Sequence, residues 1–166
     1  MWDKLRPHFK GFPAQEKVAQ LMVIHGLRVN GTGVYCGAIA LADSSLARAA
    51  GVDRRVVTAT VQTIQRTPQL IEFFSRLVPT CHLKDIASLM NWGAIEILPD
   101  NAAKPGILAG VASVIAEPGV SIRQVIVDDP EIADDPRGFI ITDSPVPERL
   151  LPRIRAVSGV KGVVLH

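Results

Sequence analysis

At 166 residues and 48% hydrophobic content, the chain has room for one domain or two small ones and enough apolar mass for packed cores. No apolar run reaches membrane-spanning length and no basic segment leads into one at the amino end, so the expectation is a globular cytoplasmic protein without a membrane partner. The net charge of +2 conceals a split: residues 1–90 carry 11 Lys and Arg against 6 Asp and Glu, and residues 91–166 carry 7 against 10, which makes the first part +5 and the second −3. An anionic partner is therefore expected at the first part only.

Residues 1–11 read as a short lead. Pro13 then opens a helix through AQEKVAQLMVIHG, with Val18, Leu21, Met22 and Ile24 apolar and Gly26 as its stop. The following LRVNGTGVYCGAIALA predicts a small β-hairpin around Asn30, Gly31 and Gly33, because asparagine and glycine tolerate the positive φ of tight turns. Neither Cys36 here nor Cys81 further on belongs to a paired motif. Together with His25 and His82 they match no zinc spacing, and all four are read as core or surface residues.

Residues 43–66, DSSLARAAGVDRRVVTATVQTIQR, give the layout helix, short glycine turn, helix. Asp43 is expected to cap the first helix, Gly51 to make the turn, and the second helix to run from Asp53 to about Gln65. At about 100° per residue, Val57, Val61 and Ile64 fall on one side, with Val56 and Ala59 towards its edges. Arg54, Arg55, Thr58, Gln62, Gln65 and Arg66 fall on the other. Those residue types suit a recognition helix: arginine for phosphates or guanine edges, glutamine for adenine, threonine for phosphate or a thymine methyl. The solvated face of an ordinary helix has the same composition. A winged-helix protein would place a hairpin next; here TPQLIEFFSRLV predicts another helix, capped by Thr67 with Pro68 in its first turn. HLKDIASLM reads as a short connecting helix before Asn91.

The second part alternates strand and helix. Strand 93–98 leads through loop 99–103 to a helix over 105–116, with Pro105 at its first position and Ile107, Leu108, Val111, Val114 and Ile115 on one face; strand 120–127 follows. RGFIITD, VPERLLPRIRAVSG and VKGVVLH then supply strand, helix and strand. Pro118 should end the first of these helices early, and Pro152 should kink the second or remove a bond from it. The acidic loop DDPEIADDPR between strands lacks the spacing and the glycine of a calcium site and reads as a solvated hairpin loop.

These patterns give an α+β chain with a mainly helical helix-turn-helix domain carrying a small hairpin at 1–90, and a ferredoxin-like βαββαβ domain at 91–166. The second domain resembles an ACT domain. The whole order, from MWDKLRPHFKGFPAQEKVA and GVDRRVV through LKDIASLMNWGAIEI and KPGILAGVASVIAEPGVSIRQ to GVKGVVLH, resembles an archaeal family of predicted regulators of amino acid metabolism that carry an ACT domain. That resemblance implies a double-stranded-DNA-binding module controlled by a free amino acid, in a homodimer formed through the ACT domain.

For the amino acid, the expected site is the loop and helix start at Asp100, Asn101, Ala103, Lys104, Pro105, Gly106, Ile107 and Leu108. The carboxylate would meet the N–H groups of Gly106 and Ile107, and the ammonium would meet Asp100, the Asn101 side chain or loop carbonyls. The resemblance adds Ser121, Ile122, Arg123 and Gln124 from the neighbouring strand of a partner. No nucleophile–base arrangement or phosphate-binding glycine loop occurs, so neither an enzyme nor a cofactor is expected. Two other readings stay open: a stand-alone ACT regulatory subunit that binds a partner enzyme instead of DNA, and a simple amino-acid-binding or purely dimerising domain.

Overall fold

A computed structural model describes residues 1–166, which form two compact units, Met1–Cys81 and His82–His166. No helix is long and apolar enough to cross a membrane. The first unit carries 10 Lys and Arg against 5 Asp and Glu, the second 8 against 11, so the charge split follows the units.

In the first unit the amino end departs from expectation. The amino-terminal lead is part of the core: α1 (Trp2–Leu5) continues into a 3₁₀ turn over Arg6–Phe9, and Trp2, Leu5 and Phe9 are all buried. Their spacing of three and four residues brings all three to one side of the coil, where the Trp2 and Phe9 rings stack with centroids 6.3 Å apart. Helix α2 (Pro13–Ile24) buries Val18, Ala19 and Met22, while Ile24 points to solvent. It closes on Gly26 in a Schellman motif: Leu27 N–H donates to the Met22 carbonyl and Gly26 N–H to that of Val23.

The expected hairpin is a three-stranded antiparallel meander, β1 (Arg28–Asn30), β2 (Gly33–Cys36) and β3 (Ile39–Leu41). Each connection is a two-residue loop whose first residue is a glycine at positive φ, Gly31 at 51° and Gly37 at 59°, the place where a II′ turn requires one. Helices α3 (Asp43–Ala50), α4 (Arg54–Arg66) and α5 (Pro68–Phe74) complete the unit, with α4 packed on α2, α3 and α5. Gly51 ends α3 at φ 65°, and Asp53 caps α4 by accepting from Arg55 N–H at 2.8 Å. Of two expected caps, one is overturned and one holds in position only. Asp43 sits inside the first turn of α3 and accepts from the Thr58 hydroxyl of α4; Thr67 is the N-cap residue of α5, but its hydroxyl donates back to Thr63 of α4 instead of capping.

In the second unit, β4 (Gly93–Pro99), β5 (Ile122–Val127), β6 (Gly138–Thr142) and β7 (Val160–Leu165) form an antiparallel sheet in the order β5-β6-β4-β7. With α6 (Ile107–Ala116) between β4 and β5, and α7 (Leu151–Arg155) between β6 and β7, this is the split βαββαβ order of the ferredoxin-like fold. Ile95, Ile97 and Ile140 of the sheet pack with Ile107, Val111 and Ile115 of α6 and with Leu150 and Ile154. The opposite face is partly covered by residues 82–92, which form two 3₁₀ turns, Lys84–Ile86 and Ser88–Met90, in place of one short helix. Leu83, Ala87 and Trp92 pack there against Ala94, Phe139 and Ile141.

Two proline expectations change. Pro105 lies outside α6, which starts at Ile107 because its N-cap Gly106 holds φ at 93° and interrupts any earlier helical run. Pro152 produces no kink: the second helix is reduced to a 3₁₀ turn over Glu148–Leu150 and a short α7, and Pro152 lies in the first turn of α7, where its missing N–H has no intrahelical role. Pro118 follows α6 two residues after its end, as expected.

Candidate functional site

Helix α4 has a sharply divided surface. Val57, Thr60, Val61 and Ile64 are buried; Arg54, Arg55, Thr58, Gln62 and Arg66 are exposed, and Gln65 is half-buried. The burial of Thr60 was not anticipated, and its hydroxyl is satisfied by the Val56 carbonyl at 2.7 Å. Of the six candidate residues, two are committed to their own fold. Thr58 donates to Asp43 Oδ2 at 2.9 Å, and the Gln65 amide donates to the Gly31 carbonyl at the β1–β2 turn. Both bonds fall on one flank of the helix.

What stays open is Arg54 in the first turn and a stripe at helical spacing, Arg55, Gln62 and Arg66 at i, i+7 and i+11, with half-buried Ala59 between them at i+4. Arg55 is within 3.6 Å of Asp53, yet the two side chains are 94% and 65% exposed, so the pair is screened and easily exchanged for another anion. Ala59 is half-buried, at the edge of the core as expected, and lies between the exposed residues of this stripe. Its small side chain leaves the helix surface low between two arginines and a glutamine, a profile suited to close approach.

In the second unit, the loop after β4 and the start of α6 border a cavity of about 140 Å³. Its walls are mainly apolar: Ile97, Ile107, Val111 and Ile140 at the base, with Leu108 and Val127 at the mouth. Lys104 and Arg137 bring charge to its rim. The first N–H groups of α6, from Ile107 onward, have no acceptor within their helix, while Gly110 N–H already closes onto the Gly106 carbonyl.

The loop is shaped by its own bonds. Asn101 Oδ1 accepts from Ala103 N–H at 2.9 Å, Asp100 N–H donates to the Gly159 carbonyl, and Lys104 Nζ lies 3.1 Å from Ser158 Oγ and 3.8 Å from Asp100. Asp100, Asn101, Ala103, Lys104, Pro105 and Gly106 are all exposed. The structure thus gathers the expected loop residues at one place. Ser121, Ile122, Arg123 and Gln124 are at the other end of the sheet in the same chain, because Ile122 is level with Thr142 and Val127 with Gly138. Ser121 and Asp143 bond to each other, Arg123 stacks over Trp92 at 4.1 Å, and Gln124 Oε1 accepts from Leu83 N–H.

Sequence reading did not anticipate the cluster around Glu96. This residue is 6% exposed on a central strand, and its carboxylate accepts from Arg137 and lies 2.7 Å from His166 Nε2. Burial alone would raise its pKa. The hydrogen bonds from Arg137 and then His166 outweigh that and hold it below the usual carboxylate range. Arg137 is itself bonded to Asp135, which with Glu96 raises the guanidinium above its ordinary value. Its donors are therefore already engaged by carboxylates, which leaves Lys104 as the rim cation with looser partners.

No family model and no curated protein matches the chain. Among solved structures, it is similar to the ACT domain from the GTP pyrophosphokinase of Chlorobium tepidum, with 21% identity and a TM-score of 0.34 over 45% of this chain and 96% of that one. It is also similar to an AsnC family transcriptional regulator from Agrobacterium tumefaciens, with 12% identity and a TM-score of 0.29 over 92% of this chain and 86% of that one. Likenesses this distant carry no weight for function.

Proposed function

We propose that the protein is a non-enzymatic, amino-acid-responsive DNA-binding regulator, with α4 as its recognition helix and an ACT-type second unit as its sensor. The observation that carries this reading is the exposed Arg55, Gln62, Arg66 stripe, with half-buried Ala59 between, on a unit with net charge +5. Arginine at both ends supplies phosphate contacts, and glutamine between them can read a base edge. A regulatory subunit that binds only an enzyme has no reason to depend on this stripe for nucleic acid.

The effector is a free amino acid at the α6 start. Its side chain occupies the apolar cavity, its carboxylate meets the open N–H groups of α6 beside Lys104, and its ammonium meets Asp100 or loop carbonyls. A homodimer formed by side-by-side sheets completes the site. Support for that comes from β5, an edge strand with Val125 and Val127 exposed at 39% and 55%. A second copy would offer its β5 around residues 121–124. Since Arg123 and Gln124 are engaged within their own chain, the strand backbone and Ser121 are the contacting parts. Effector binding then shifts the dimer between arrangements of different DNA affinity.

The test has two parts. In a mobility-shift titration on mixed-sequence duplex DNA, the Arg55→Ala/Arg66→Ala variant should lose binding and flatten the salt dependence by about 2 in log–log slope, near 0.9 per phosphate contact. Thermal unfolding against the twenty amino acids should give a selective upward shift. DNA binding indifferent to the two arginines removes the recognition role of α4. Affinity unchanged across a saturating titration of an amino acid that does bind removes the regulatory coupling.

A further inference from the structure

The bond from Gln65 to Gly31 places a second element at the carboxyl end of α4. It sets the tip of the β1–β2 turn, Gly31 and Thr32, beside the residue that precedes Arg66. Asn30, Gly31 and Thr32 are exposed, and the turn needs nothing from them beyond the positive φ of Gly31, around which there is open space. No carboxylate occurs between Glu16 and Asp43, so the meander carries no negative charge, and its one charged residue is Arg28.

Distances along the helix give this placement a meaning. Arg55 and Arg66 are 11 residues apart, a rise of about 16 Å at 1.5 Å per residue. A B-DNA major groove is about 12 Å wide. A helix, itself about 10–12 Å across with its side chains, fits this groove lengthwise, so the stripe would run past about 16 Å of phosphate backbone, and whatever is fixed beside the Arg66 end would lie against the backbone there.

We infer that the β1–β2 turn is a second nucleic-acid contact, which follows the phosphate backbone of double-stranded DNA at the Arg66 end of α4. Its donors are the Thr32 hydroxyl, the Asn30 amide and the turn N–H groups, all of types that bond phosphate oxygens without reading sequence. Gln65 acts as a positioning residue that fixes the angle between turn and helix. The inference rests on α4 being the recognition helix.

The experiment compares three variants of the full chain on the same mixed-sequence duplex across a salt series. Thr32→Glu puts a carboxylate at the turn. Ala38→Glu puts one at the exposed β2–β3 turn, at the opposite end of the meander. Arg55→Ala/Arg66→Ala tests the helix. Thr32→Glu should weaken binding about tenfold or more, since a like charge is forced against phosphate, and Ala38→Glu should leave it near the parent value. Circular dichroism and unfolding midpoints shared by the two glutamate variants establish equal folding. Loss of binding in the double arginine variant with Thr32→Glu equal to Ala38→Glu overturns the turn contact and spares the recognition helix. Binding that survives the double arginine variant, or a parent that does not bind duplex DNA, overturns both.

Discussion

Gly26 and Gly51 offer a controlled comparison within the first unit. Both close a helix in a Schellman motif, at φ 60° and 65°, with matching bond patterns: Leu27 N–H to Met22 and Gly26 N–H to Val23 in one, Val52 N–H to Ala47 and Gly51 N–H to Arg48 in the other. Alanine at either position incurs the left-handed penalty of about 1–2 kcal/mol. Their surroundings differ. A Cβ on Gly51 meets nothing within 4 Å, whereas one on Gly26 would be 2.4 Å from the Val78 carbonyl oxygen and 2.8 Å from Pro79 Cα. Those atoms are backbone and cannot rotate away, so overpacking adds about 1–3 kcal/mol. Gly51→Ala should therefore cost about 1–2 kcal/mol and Gly26→Ala about 2–5. The chain has two tryptophans, Trp2 in the first unit and Trp92 in the second. In a Trp92→Phe background, urea unfolding followed by fluorescence reports the first unit alone. Equal destabilisation by the two substitutions, within about 0.5 kcal/mol, would refute the close approach of residues 78–79 to the end of α2.

Asp53→Ala removes the one side-chain cap of α4 and should cost about 1 kcal/mol in the same fluorescence assay. Thr60→Val keeps the shape of a buried side chain and deletes a hydroxyl whose acceptor, the Val56 carbonyl, also lies in the helix ladder; stability should change by less than about 1 kcal/mol. For Glu96 the sign follows from its lowered pKa. The ionised form is favoured by folding, so its contribution is fully present above the unfolded value near 4.5 and is lost as pH falls through the folded value. Glu96→Gln should cost about 1–3 kcal/mol at pH 7 and flatten the acid limb of unfolding followed at Trp92 in a Trp2→Phe background. An acid limb identical to that of the parent would show that Glu96 is not held by Arg137 and His166.

The elements whose local chemistry agrees with their tertiary setting were legible. The α3–Gly51–α4 layout, the start of α4 next to Asp53 and the β4–α6–β5 order fall within a residue or two of their expected places, because turn glycines and helical periodicity act over a few residues. Trp2, Leu5 and Phe9 leave no such signal, since the lead is punctuated by charges and Pro7, and a core contribution made of two short turns has no long period to detect. The third strand, Ile39–Leu41, is two exposed residues and a half-buried one, without the alternation that marks a half-buried strand.

The site was harder to read for a reason that α4 makes plain. Angular position on a helix tells which side chains leave the core, and it placed Arg54, Arg55, Thr58, Gln62, Gln65 and Arg66 correctly on the side away from Val57, Val61 and Ile64. It does not tell which of them another element has already taken. Thr58 is claimed by a residue 15 positions earlier and Gln65 by one 34 positions earlier, and neither separation leaves a mark in a local pattern. The same holds for the second unit, where Lys104 meets Ser158, 54 residues on, and Glu96 meets His166, 70 on. Residues with polar side chains are the ones most often captured this way, since a folded chain pairs its buried and half-buried polar groups wherever it can. A candidate surface inferred from sequence is therefore expected to shrink on the flanks, where neighbouring elements approach, and to survive along the centre line. On α4 the centre-line survivors are Arg55, Gln62 and Arg66, and Arg54 in the first turn is also unclaimed.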